Sequence, residues 1–75
     1  MKFSDIENSI DRLSSSREKI RVLERALPSV RGNELRKTLL VLANEYAFER
    51  KFKRAAELYE VIGFDEEAKN AKGRS

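Results

Sequence analysis

The chain has 75 residues, with 16 Lys or Arg against 13 Asp or Glu, a net charge of +3 and 39% charged residues. It contains no Cys and no His, which excludes disulfides, thiolate chemistry, the usual zinc ligands and the usual general base near neutral pH. A chain this short makes one domain, residues 1–75, and buries only about 60% of its unfolded surface, so its core is thin.

Both signs of charge are interspersed, as on a solvated surface. Gln is absent beside abundant Lys, Glu and Arg, a thermophile-like composition. Ser14, Ser15 and Ser16 have no His to activate them, and the chain is small for a ligand-sized cavity. No catalytic residue, metal or cofactor is expected. The opening "MKFSDIENSIDRL" is amphipathic and acid-containing, unlike the apolar core of a signal peptide. The longest apolar run, Leu39 to Ala43, is far short of the ~20 residues of a membrane span. A cytoplasmic protein without a membrane partner is the expectation.

No alternating β-branched run and no Asn-Gly or Asp-Gly turn occurs. The expected fold class is therefore all-α, an antiparallel array of four to five short helices. The first begins at "FSDIENSIDRL", where Ser4 and Glu7 have the spacing of a capping box and Ile6, Ile10 and Leu13 form one stripe. Ser15 and Glu18 repeat that spacing and predict a second helix from about Ser16, with Ile20, Leu23 and Leu27 as its stripe. One uninterrupted helix from Ser4 to Leu27 is the competing reading, because Ile6, Ile10, Leu13, Ile20 and Leu27 share roughly one face; the break is preferred. Pro28 ends the segment near Leu27. "PSVRGN" reads as a linker, with Gly32 closing the turn and Asn33 capping the next helix.

The stretch from Lys37 to Glu60 contains no Gly or Pro, yet its apolar face changes sides. With Leu39 at 0° and about 100° per residue, Leu42, Ala43 and Tyr46 lie within about 60° of it, whereas Phe52, Ala55, Tyr59 and Ile62 fall between about 140° and 220°. A turn near Arg50–Lys51 removes the conflict. It divides the stretch into a helix from about Glu34 to Glu49 and another from about Phe52 to Ile62, folded back antiparallel. Gly63 suits a left-handed C-cap, and Asp65 caps a last short helix with Glu66 and Glu67 in its first turn. The terminal "GRS" is expected to fray.

The spacing of Leu39, Leu42-Ala43, Tyr46, Phe52, Ala55, Tyr59 and Ile62 resembles the tetratricopeptide repeat over about 34 residues, roughly Arg36 to Lys69. Arg50 stands where that repeat often has Gly, and Glu67 where it has Pro. The resemblance implies a helical hairpin used in protein–protein interaction. Its first helix would line a concave groove with Lys37, Leu40, Val41, Asn44 and Phe48. Lys37 and Asn44 resemble the Lys and Asn that hold a partner's C-terminal carboxylate in some members, although Leu40 stands where a second basic residue would be wanted.

The same outer face of the third helix has a plainer reading, in which the first two helices cover it and it is core. Val41, Phe48 and Phe64 are the apolar residues left over for a contact. A protein partner is therefore expected, self-association included. The alternative is nucleic acid, through Arg17, Arg21, Arg25, Arg31, Lys51 and Arg54. Residues 16–37 carry seven Lys or Arg against three Glu, and "RKFKR" adds four more cations. Against it, no base-stacking platform or nucleic-acid motif accompanies these residues.

Overall fold

Hydrogen bonding at the helix ends decides how this chain divides. The computed structural model of the chain describes residues 2–74. Over these residues five α-helices follow one another: α1 (Phe3–Asp11), α2 (Ser16–Ala26), α3 (Asn33–Phe48), α4 (Phe52–Val61) and α5 (Asp65–Arg74), with a 3-10 turn at Leu27–Ser29. No strand occurs among the described residues, and the fold is an all-α helical array. Arg12 to Ser15 is non-helical, so the first segment is two helices and not one rod. Serines hydrogen-bond to nearby backbone outside helices and so favour such a break.

Several expected caps are replaced. Lys2 is the N-cap residue of α1, Ser4 lies inside the helix, and no capping box forms with Glu7. The Phe3 N–H donates instead to Glu34 Oε2, a carboxylate brought from α3. Ser15 is the N-cap residue of α2, but its hydroxyl makes no cap bond. Gly32, at φ 61°, is the residue ahead of α3, and Asn33 is already helical. Asp65 likewise is the first residue of α5 and not a residue ahead of it. Pro28 sits in the 3-10 turn, where its missing N–H is tolerated. Gly73 and Arg74 are helical, and Ser75 lies outside the described residues.

The α3–α4 reversal occurs where the face switch requires it. The Lys51 N–H donates to Tyr46 O at 2.8 Å and the Arg50 N–H to Ala47 O at 3.0 Å. Together these are the paired bonds of a Schellman motif, with Arg50 as its left-handed residue at φ 62°. The α4–α5 reversal repeats the motif. Phe64 N–H donates to Tyr59 O at 2.8 Å, Gly63 N–H donates to Glu60 O at 3.1 Å, and Gly63 has φ 83°.

Once reversed, α4 packs on α3, and Ala43 and Ala55 are both fully buried. Small side chains there let the two backbones approach, and Tyr46 and Tyr59 fill the same interior from opposite helices. Helix α3 also packs against α1 and α2, and α5 against α4. Ile6, Ile10, Ile20 and Leu23 supply the α1–α2 side of the core, and Ala68 and Ala71 the α5 side. Leu13 and Leu27 are only half-buried, whereas Ala26 and Val30, outside the expected stripes, are buried. The array is flat, 33 × 27 × 15 Å across its Cα atoms.

Two predictions follow from these turns and this seam. Arg50→Gly relieves a left-handed arginine and raises stability by about 0.5–1 kcal/mol, whereas Gly63→Ala lowers it by about 1 kcal/mol. Ala55→Leu overpacks the seam and lowers stability by about 1–3 kcal/mol. Urea unfolding followed by far-UV circular dichroism measures each.

Candidate interaction surfaces

Helix α3 turns Thr38, Leu42, Ala43 and Tyr46 inward. Its opposite side carries Lys37, Asn44 and Phe48, all exposed, and Phe48 is 76% exposed. Leu40 and Val41 border this strip and are half-buried. Cover by α1 and α2 therefore stops part-way, and the outer face of α3 is not core. Two shallow hollows flank the strip. One lies against α1, between Lys2, Phe3, Ser4 and Glu7 on one wall and Glu34 and Lys37 on the other. The second, towards α5, is walled by Leu40, Lys37, Arg36, Asn33 and the half-buried Phe64. Lys37, Leu40 and Phe64 thus come together, while Phe48 lies about two to three helical turns further along α3.

Asn44 is partly engaged within the protein. Its Oδ1 accepts a hydrogen bond from the Tyr59 hydroxyl of α4. Only the Asn44 amide nitrogen is left as a donor for a partner. The Tyr59 hydroxyl has its pKa raised above 10.0, by burial first and by the nearby Glu67 carboxylate second.

The basic residues divide between different places. Arg50, Lys51, Lys53 and Arg54 surround an open cleft of about 510 Å³ between α2 and the α3–α4 turn. Ile20, Tyr46 and Phe52 form its apolar floor, and Glu24 is its acidic wall residue. Arg54 lies over the Tyr46 ring with its guanidinium carbon 5.9 Å from the centroid. Arg17 stands nearby, its Nε 3.7 Å from Glu49 Oε1, an exposed pair of little energetic weight. Arg21 is exposed on α2. Arg25 instead lines a hollow between α1 and α2 with Asp5, Ile6, Ser9, Val22 and Ala26. Arg31 is in the α2–α3 connection, at the far end of a 16-residue helix from the turn, which is about 24 Å.

Sequence periodicity did not point to the cleft, because its walls come from α2 and from the turn, about 30 residues apart. Nor did it single out Val61, 73% exposed on the outside of α4 and off the stripe that marks the core. No helix among the described residues is long and apolar enough to cross a membrane. Neither a family model, nor a curated protein, nor a solved structure matches the chain.

The raised Tyr59 pKa has a defined sign. The unfolded phenol ionises at lower pH than the folded one, so its contribution to stability is complete below about pH 10 and is lost as pH rises through the folded value. The expected outcome is a urea midpoint that falls above about pH 10, with a smaller fall in Tyr59→Phe. At neutral pH that variant loses about 0.5–1.5 kcal/mol with the hydrogen bond to Asn44.

Proposed function

We propose that this protein is a non-enzymatic, cytoplasmic protein–protein interaction module built on a tetratricopeptide-like hairpin, and that it self-associates through the outer strip of α3. The observation that carries this reading is Phe48, a large apolar side chain left mostly in water on a helix whose other faces are packed. A single exposed apolar residue is ordinary. Here it has company: half-buried Leu40 and Val41 border the same strip, with Phe64 beside Leu40. Lys37 and Asn44 supply polar groups along it. The tetratricopeptide-like reading rests on the residue spacing alone; an antiparallel α3–α4 pair with Ala43, Tyr46, Ala55 and Tyr59 in one core is compatible with it and common to helical hairpins in general. The nucleic-acid alternative has less support, since Arg25 and Arg31 do not join the cations at the turn.

Covering Phe48 removes on the order of 100 Å² of apolar surface from water, which is worth about 2–3 kcal/mol or a ~30- to 150-fold change in Kd. Sedimentation velocity over a range of concentrations and salt checks this. The expected outcome is a salt-tolerant oligomer that dissociates in Phe48→Asp while the circular dichroism spectrum is kept. A wild-type chain that stays monomeric at every concentration refutes self-association through this strip.

A further inference from the structure

We infer that the cleft at the α3–α4 turn is a second docking site, and that its occupant is an acidic peptide segment carrying an apolar side chain. The cleft lies between α2 and α4, apart from the outer strip of α3, and the inference does not depend on that strip.

Charge is the first argument. Four cations, Arg50, Lys51, Lys53 and Arg54, fall within five consecutive positions and face one acidic wall residue, Glu24. All four are exposed, and none is ion-paired within the described residues, where the ion pairs are Arg17–Glu49 and Lys72–Glu60. Helix α4 has no acidic residue in its first turn, so the positive end of its dipole adds to the same field. A potential of one sign concentrated in a recess attracts a complementary charge and speeds its capture.

Shape and composition choose among anions. The floor of Ile20, Tyr46 and Phe52 is apolar, which suits a side chain and not a phosphate alone. Ile20 and Tyr46 are buried and Phe52 is half-buried with the Arg74 guanidinium over its ring, so the floor has room for one small apolar contact and no row of open aromatic faces on which successive bases could stack. A nucleic-acid backbone needs cations along a track, and here four of them cluster between Arg50 and Arg54 with Arg17 nearby, while Arg25 lines a different hollow and Arg31 is about 24 Å away at the other end of α3. The Arg54 guanidinium lies over the Tyr46 ring at the cleft wall, and a planar guanidinium there can receive a carboxylate on two nitrogens.

The test uses the full chain and a short fluorescein-labelled peptide in which Asp and Glu flank a Leu-Phe pair, read by fluorescence anisotropy. Wild type and Phe48→Asp bind it equally, and binding weakens by about tenfold or more from low to high salt. The same peptide with Asn and Gln for its acids does not bind. Lys51→Glu with Arg54→Glu weakens binding by about tenfold or more, and Lys51→Gln with Arg54→Gln does so in the same direction should the reversal disturb folding. An unchanged Kd in folded charge variants overturns the proposal. So does tighter binding of a single-stranded oligonucleotide at matched charge and salt, which would assign the cleft to phosphates. Low-salt self-association abolished by the Lys51 and Arg54 variants, without peptide binding, would assign it to a second copy of this chain.

Discussion

The left-handed turn at Arg50 is the constraint on which the rest of this array depends. Helix α3 ends there because two backbone N–H groups turn back onto Tyr46 and Ala47 carbonyls, and α4 starts within two residues. A left-handed non-Gly residue costs about 1–2 kcal/mol. Burial of two tyrosines, each removing about 150 Å² or more from water, is worth several kcal/mol, so packing outweighs the local strain. Without the reversal Ala43 and Ala55 would point about 120° apart on one helix, and each would need a separate partner helix. The reversal of apolar face along an otherwise unbroken helical stretch is the sequence-level trace of that competition.

The same motif closes α4 with Gly63, where the left-handed backbone is unstrained. Comparing the two turns separates what the fold requires from what the surface carries. Both have the same pair of hydrogen bonds and both bring the next helix back onto the previous one. At Gly63 nothing is displayed. At Arg50 a cation occupies the strained position, and three further cations follow within four residues. A glycine would serve the fold better, so the arginine is better explained by what the turn presents to solvent than by what it does for the core.

The five helices lie within the four to five expected, and both reversals were legible from the change of apolar face and from Gly63; the break near the serines was preferred on the Ser15–Glu18 spacing, although periodicity alone allowed one rod. The caps were less legible. Ser4 and Glu7 have the right spacing, yet the side chain that accepts from the start of α1 is Glu34, 31 residues away from Phe3, whose N–H it receives. A carboxylate delivered by tertiary packing leaves no local signature. The outer strip of α3 was legible as residues but not as a surface: whether Val41 and Phe48 are core depends on how far α1 reaches across α3. The basic cleft was legible only as a run of cations. Its floor and its α2 wall exist after folding, and Arg25 and Arg31, equally basic in the sequence, fall elsewhere.

Helix α3 therefore serves three directions at once. Its inner side is core, its outer side leaves Phe48 in water, and its C-terminal turn gathers charge. A domain with so thin a core has few apolar side chains to spare, yet Phe48 is left mostly in water. The two surfaces differ in their physics. Contact through Phe48 is governed by removal of apolar area from water and is nearly indifferent to salt, whereas contact through Arg50 to Arg54 weakens as the Debye length shortens to about 10 Å or less. The outer strip also lies between α1 and Phe64 of the α4–α5 connection, whereas the cleft opens between α2 and α4. The two proposed contacts would therefore be separable by solution conditions as well as by mutation.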